Sequence, residues 1–119
     1  MSATEPSFTI GIEEEYLLVD KLTRDLADAP PDQLWAECEA RLGDLIKPEF
    51  LKSQIEIATG ICSSINDARE DLRRLRKTVA EVAGKHGLAP IAASTHPFSK
   101  WQAQSHTDKE RYHVLAQDM

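Results

Sequence analysis

Hydrophobic residues recur with two different periods along the chain, and these patterns predict six elements of secondary structure. A period of two over residues 8–19 and 52–61, and a mostly apolar run over residues 88–95, predict three β-strands. Helical spacing over residues 32–42 and 64–86, and again from Asp108 onward, predicts three α-helices. Strands and helices mixed in this order indicate an α+β layered domain, in which the pattern leaves the strand order undetermined.

The long helix has the clearest predicted boundaries and faces. Ser64 is suited to cap its first turn, and Gly87 to end it. Its basic run over residues 69–77 is interpreted as a solvated surface, supported by weak ion pairs between residues four apart. One face carries an apolar stripe that consists of Ile65, Ala68, Leu72, Leu75, Val79, Val82 and His86.

Composition and charge narrow the class of protein. The 119 residues, 41% hydrophobic and 29% charged, fit one globular domain, and the net charge of −6 argues against nucleic-acid and anionic-membrane partners. We find no apolar run of the roughly 20 residues that span a bilayer and no signal-peptide pattern, so we expect a cytoplasmic protein. Cys38 and Cys62 lack metal-ligand spacing and are expected to be free thiols.

Acidic residues on the first two predicted strands are the candidate chemistry. Glu13 and Glu15 lie two apart on one strand, so their side chains share a face, with Cα atoms about 6.6 to 6.8 Å apart. Glu56 lies opposite the apolar side of the second strand. Two explanations remain open from spacing alone: these carboxylates hold Mg²⁺ beside nucleotide phosphates, or they simply face water.

Glu14 points the other way, with the apolar residues of the first strand. An unpaired charge is costly there, so we expect Glu14 near the sheet edge or paired with a basic side chain. Elsewhere the sequence lacks the P-loop pattern, the nucleophile-elbow pattern and paired Cys and His ligands, so the common phosphate-loop, hydrolase and zinc interpretations have no support.

Four segments, in order, resemble the glutamate-cysteine ligase family in its bacterial carboxylate-amine ligase branch. The first, residues 9–20 (TIGIEEEYLLVD), resembles the family's opening GxExE strand, and the second, residues 54–59 (QIEIAT), its second acidic strand. The third and fourth, STHPF at residues 94–98 and ERY at residues 110–112, resemble its THPF and RY segments. The resemblance covers nearly the whole chain.

The resemblance implies a fold, cofactors and a reaction. The fold is a glutamine-synthetase-like catalytic domain with an antiparallel sheet backed by helices. The cofactors are ATP and Mg²⁺, with Glu13, Glu15 and Glu56 as the metal ligands. The reaction transfers the γ-phosphoryl group of ATP to a carboxylate such as that of glutamate, and the amine of cysteine or of another substrate attacks the resulting acyl phosphate.

The resemblance also suggests further site residues and an alternative function. His96 and Arg111 are candidates for substrate or nucleotide contacts, although a loop-shaping His96 and a salt-bridged Arg111 remain open. Residues 1–119 are expected to be the N-terminal portion of one ligase domain, with a flexible tail over residues 1–7 and exposed strand edges that favour a homo-oligomer. The rival hypothesis is a noncatalytic interaction or dimerisation module that retains the ligase fold.

Overall fold

Four antiparallel strands form one sheet in the computed structural model, which describes residues 5–119. In spatial order they are β2 (Ile46–Pro48), β3 (Gln54–Ala58), β1 (Glu13–Asp20) and β4 (Leu88–Ile91). The described part of the chain also contains three α-helices, α1 (Asp32–Leu42), α2 (Ile65–Gly84) and α3 (Glu110–Asp118). The predicted α+β class and antiparallel sheet are therefore confirmed.

The strands are shorter than predicted, and one of them was not predicted. β1 begins at Glu13 rather than Phe8, although Ile10 still forms an isolated antiparallel bridge with Cys62. β3 is shorter than its predicted range of 52–61 at both ends, and β4 ends at Ile91, four residues before the predicted end. β2 is absent from the prediction, because three residues that include a proline are too few to show an alternating pattern.

The core lies between one face of the sheet and helices α1 and α2. Its fully buried side chains come from β1, β3 and both helices, and include Leu18, Leu34, Cys38, Ile55, Ile57, Leu75, Val79 and Val82. Cys38 and Cys62 are free thiols, as expected, and burial is the main reason that the pKa of Cys38 rises to about 11. Burial of these apolar side chains is the dominant stabilising contribution.

The start of α2 and the end of α1 follow the predicted capping residues, whereas α2 ends at Gly84, two residues before the predicted end. The side chain of Ser64 accepts a hydrogen bond of 3.1 Å from the backbone N–H of Asp67 at the start of α2. Gly43 and Gly87, the predicted stops, have positive φ angles of 58° and 71°, which glycine adopts without steric cost. Ile65, the first member of the apolar stripe, remains 70% exposed.

The ion pairs of α2 are mostly not those predicted from a spacing of four, which would join residues 70 and 74, 77 and 81, and 81 and 85. Arg74 pairs at 2.9 Å with Asp71, three residues before it on the same helix, instead of with Glu70. Glu81 reaches Arg41 of α1 at 2.9 Å and is 3.9 Å from Lys77, its predicted partner. Lys85 pairs with Glu37 of α1, so the helices are joined by charges as well as by apolar contacts.

The predicted N-terminal tail and the question of a membrane-spanning helix concern different parts of the chain. The predicted tail lies partly outside the described residues, since residues 1–4 are not described, and residues 5–7 lie outside any helix or strand. Within residues 5–119, none of the helices is both long and apolar enough to cross a membrane.

Candidate functional site

The predicted acidic residues meet on the face of the sheet that is opposite helices α1 and α2. Glu13 and Glu15 are two residues apart on β1, and the register pairs Glu15 directly with Glu56 of β3. Directly paired residues in antiparallel strands project to the same side of the sheet. The structure thus brings together the three carboxylates that the sequence analysis grouped.

Backbone hydrogen bonds show how close the opposing pair is. The N–H of Thr59 donates to the carbonyl oxygen of Ile12, and the N–H of Leu18 to that of Ser53. These bonds place the even-numbered residues of β1 in hydrogen-bonded pairs with the neighbouring strand. Glu15 and Glu56 therefore form a non-hydrogen-bonded pair, in which Cα atoms are only about 4.5 Å apart.

Crowding and partial burial raise the pKa of two of these carboxyl groups. For Glu15 the main cause is partial burial, followed by the negative charge of Glu49. For Glu56 the causes are partial burial, a hydrogen bond with Glu49, and the charges of Glu49 and Glu13. Glu49 follows β2 and is a fourth member of the group, which we call the acidic cluster: Glu13, Glu15, Glu49 and Glu56. Glu49 is not among the predicted site residues, because β2, which places it here, is not among the predicted strands.

Two polar neighbours act on the acidic cluster. The side-chain amide of Gln54 donates a hydrogen bond of 3.0 Å to Oε1 of Glu15, which orients that carboxylate. Lys47 of β2 pairs with Glu56 in the register, and its positive charge partly opposes the rise in the pKa of Glu56. Electrostatic repulsion within the cluster is thus reduced but not removed, and a bound cation would reduce it further.

One edge of β1 next to the acidic cluster is open. β4 pairs with β1 only over Leu17–Asp20, so no strand of the described residues lies beside Glu13 and Glu15 on that side. A cavity of about 400 Å³ occupies this position, and residues from β1 and from the segment after β4 line it, including Glu15, Ala93 and Ser94. The open edge gives a ligand access to the acidic face.

Glu14 lies on the opposite face of β1 and is paired with Arg76 of α2. The guanidinium NH2 group contacts the two carboxylate oxygens of Glu14 at 2.6 and 2.8 Å, and its Nε donates to Glu14 at 3.0 Å. Tyr16 donates its hydroxyl proton to Glu14, and burial together with that bond raises the pKa of Tyr16 to about 12. The expected basic partner of Glu14 is confirmed, and it belongs to the basic run that was interpreted as solvated surface.

The ring of His96 joins two loops. Its Nε2 lies 2.7 Å from the carbonyl oxygen of Arg24, and its Nδ1 accepts a hydrogen bond of 3.1 Å from the backbone N–H of Ser99. Arg24 has a positive φ of 65°, which is unusual for a non-glycine residue, and its N–H donates a hydrogen bond of 2.8 Å to the carbonyl oxygen of Asp20. Both ring nitrogens are engaged by backbone groups, so the contacts fit the loop-shaping interpretation of His96.

Arg111 and Tyr112 open α3 and have different environments. Tyr112 is 3% exposed and packs edge-on against Phe50, with ring centroids 5.6 Å apart. The guanidinium of Arg111 lies 4.8 Å from the centroid of the Tyr112 ring. No described carboxylate forms a salt bridge with Arg111, which leaves its guanidinium available to an anionic ligand.

The donor chemistry of the acidic cluster fits Mg²⁺. Mg²⁺ takes oxygen ligands and is usually bound by one or two carboxylates together with waters and substrate phosphates, rather than by a complete protein cage. Among residues 5–119, no three His, Cys, Asp or Glu side chains already stand together in metal-binding geometry. The Glu15–Glu56 pair nevertheless supplies the two carboxylates that such a site requires.

Comparison with known proteins identifies the family of this chain. The family model "Glutamate-cysteine ligase family 2 (GCS2)" matches residues 9–119. A relative from Jannaschia sp. (strain CCS1), named "Putative glutamate--cysteine ligase 2", is 61% identical over 98% of this chain and 30% of its own length. Relatives of the same name from Rhodospirillum rubrum and Solibacter usitatus are 53% and 36% identical, over 97% and 100% of this chain.

These matches cover most of this chain but a minor part of each relative. The chain spans 31% of the length of the Rhodospirillum rubrum and Solibacter usitatus proteins. The matched residues include both acidic strands and the segments that contain His96 and Arg111. The match also supports the glutamine-synthetase-like class of this antiparallel α+β fold. The chain belongs to glutamate-cysteine ligase family 2.

Proposed function

We propose that this chain is part of an ATP-dependent carboxylate-amine ligase of the glutamate-cysteine ligase type, with small-molecule substrates and a cytoplasmic location. The observation that carries the proposal is the direct pairing of Glu15 with Glu56, beside Glu13 and Glu49. Like charges directly opposed in a sheet destabilise the fold, so a cluster of this kind is best explained by a cation that it binds. Membership of the ligase family supports the use of ATP.

The residues of this chain would bind and orient the reactants. Glu13, Glu15 and Glu56 would hold Mg²⁺, with Gln54 fixing the orientation of Glu15. The bound metal would supply positive charge that offsets repulsion between the anionic reactants. Arg111 presents a guanidinium that matches a carboxylate or phosphate, whereas His96 would shape its own loop through its contacts with Arg24 and Ser99.

The proposed reaction has two steps. A carboxylate oxygen of the first substrate attacks the γ-phosphorus of ATP, which forms an acyl phosphate and releases ADP. The amine nitrogen of the second substrate then attacks the acyl carbon, and the carbon–oxygen bond to phosphate breaks while the nitrogen loses a proton. Because the chain spans 30% of the Jannaschia relative, we assign the complete reaction to a protein of the relatives' length.

Magnesium-dependent nucleotide binding tests the proposal on this chain. Calorimetry should show saturable heat when ATP is added in the presence of Mg²⁺, and the heat should disappear in the double variant Glu13→Gln plus Glu15→Gln. The matched control, Glu39→Gln plus Glu70→Gln, removes the same charge from exposed helix positions and should bind as the wild type does. Equal binding by the two double variants would refute the metal role of the acidic cluster.

The alternative is a noncatalytic interaction module, and the open edge of β1 favours it. Unpaired strand edges accept strands from other chains, including a second copy of the same chain. Sedimentation of the wild type over a range of concentrations distinguishes the two functions. A module predicts self-association without any response to Mg²⁺ and ATP, whereas the ligase proposal predicts nucleotide binding at every concentration.

A further inference from the structure

We propose that His106 and His113 form a binding site for a zinc-class transition-metal ion, separate from the acidic cluster. His106 lies in an extended segment that bridges to Leu51, and His113 lies on α3. Nε2 of His106 is 2.8 Å from Nδ1 of His113, with ring centroids 4.8 Å apart and the planes nearly perpendicular at 83°. Two imidazole nitrogens from different segments therefore lie within hydrogen-bond distance of each other.

Asp108 fixes the ring of His113 in the orientation that a metal ligand needs. Its Oδ1 lies 2.7 Å from Nε2 of His113. The ionised carboxylate only accepts hydrogen bonds, so Nε2 of His113 carries a proton and neutral His113 has its lone pair on Nδ1. A carboxylate, a histidine and a metal in this order form a recurrent arrangement in which the carboxylate orients the ligand.

Binding of the metal would require the two rings to separate and to turn. Two nitrogens bound tetrahedrally to Zn²⁺ at about 2.0 to 2.1 Å lie roughly 3.3 to 3.4 Å apart, so the nitrogens would separate by about 0.6 Å, and each ring would turn until its lone pair points at the metal instead of at the other ring. His106 would carry its proton on Nδ1 instead of Nε2, a tautomer change that keeps the ring neutral. Because His113 has a side chain that is 48% exposed, its ring has room for this shift.

Aromatic side chains pack against the ring of His106. The Phe50 ring stacks on His106 with centroids 6.2 Å apart and an interplanar angle of 21°, and Tyr112 packs edge-on against Phe50. His106 also lines a cavity of about 80 Å³ together with Phe50 and Gln104.

The ligand type separates this site from the acidic cluster. Imidazole nitrogen suits Zn²⁺, Ni²⁺ and Cu²⁺, whereas carboxylate oxygens suit Mg²⁺. With two protein ligands, the remaining positions would be open to water or to a small ligand. A bound ion would join the segment before α3 to α3 itself, so it should stabilise the folded chain by an amount that grows with the logarithm of its affinity.

Calorimetric titration with ZnCl₂ tests the proposal, with thermal denaturation as a second readout. The wild type should bind one ion and melt at a higher temperature with zinc. His106→Ala and His113→Gln should lose both effects. Asp108→Asn should weaken binding about 10- to 100-fold, as is typical when the partner of a ligating histidine is removed. Asp108 is 92% exposed in its side chain, so this variant should fold normally.

Two control variants test whether zinc binds at the histidine pair or elsewhere on the chain. His86→Ala removes a histidine outside the pair and should bind zinc like the wild type. The variant Glu15→Gln plus Glu56→Gln should also retain zinc binding, because it leaves the histidines intact. Zinc binding that survives His106→Ala and His113→Gln, or that is lost with the acidic variant, would overturn the proposal, as would the absence of saturable binding in the wild type.

Discussion

Adjacent glutamates on β1 have opposite electrostatic environments. Glu14 faces the helices and is held by a guanidinium fork and a tyrosine hydroxyl, so its charge is compensated. Glu13 and Glu15 face away from the helices, where other carboxylates surround them. The strand period of two explains this difference, since neighbouring side chains point to opposite faces. The local sequence alone shows which glutamates share a face, but not which partners they meet.

Removal of Arg76 should destabilise the fold through Glu14. The Glu14 side chain is only 19% exposed, so Arg76→Ala would leave a largely covered carboxylate without its charged partner. We expect a loss of about 1 to 2 kcal/mol in the free energy of unfolding, measured by urea denaturation. The exposed Arg73→Ala on the same helix is the control and should change stability by less than about 0.5 kcal/mol. Equal losses in the two variants would contradict this role of Arg76.

Removal of a charge from the acidic cluster should have the opposite effect. Without metal at pH 7, Glu15→Gln should raise the free energy of unfolding by a few tenths to about 1 kcal/mol, because it relieves repulsion between directly opposed carboxylates. The exposed Glu39→Gln of α1 should leave stability nearly unchanged. A less stable Glu15→Gln variant at neutral pH would contradict the repulsion.

The difference in stability between Glu15→Gln and the wild type should become smaller as the pH falls. The pKa of Glu15 is raised in the folded protein above its ordinary value of 4.5, so the folded state holds this proton more tightly than the unfolded chain. The favourable effect of that proton is present below the ordinary pKa and is lost as the pH rises through the raised pKa. The advantage of Glu15→Gln over the wild type should therefore shrink on acidification, as measured by denaturation at several pH values.

At the scale of elements, a helix or strand was predicted more accurately when its hydrophobic pattern was longer. α2 shows its period over five turns and has a capping serine, so its existence and its start were predictable, whereas its end at Gly84 lies two residues before the predicted one. β2 has three residues and is defined by its pairing with β3, which is a tertiary contact that the local sequence does not reveal. Glu49 follows β2 directly, so its position in the acidic cluster could not be predicted without β2.

The cap of α2 should contribute measurably to stability. Ser64→Ala removes the side-chain oxygen that accepts from the N–H of Asp67 and should cost about 1 kcal/mol in the free energy of unfolding. Ser64→Asp keeps an acceptor at the same position and should retain most of the wild-type stability, as measured by urea denaturation. If both variants lose the same amount, the hydrogen bond of the cap is not the stabilising feature.

At the scale of the whole molecule, the register of the sheet creates the candidate site. Glu13 and Glu15 were predictable as neighbours on a strand, but the position of Glu56 opposite Glu15 depends on how β1 and β3 pair. The resemblance to the ligase family grouped the three residues before this register was known. The pairing of His106 with His113 was not predictable, because it depends on the packing of α3 beside Phe50.

The position of a bound hard cation tests the central claim most directly. Mn²⁺ accepts the oxygen ligands that Mg²⁺ prefers, and its unpaired electrons broaden the NMR signals of nearby amides. In a titration of the ¹⁵N-labelled chain with MnCl₂, the amides of Glu13, Glu15, Glu49 and Glu56 should broaden first, and excess Mg²⁺ should reverse the effect. Broadening that begins elsewhere in the chain and leaves these four amides sharp would contradict a metal site on the acidic face.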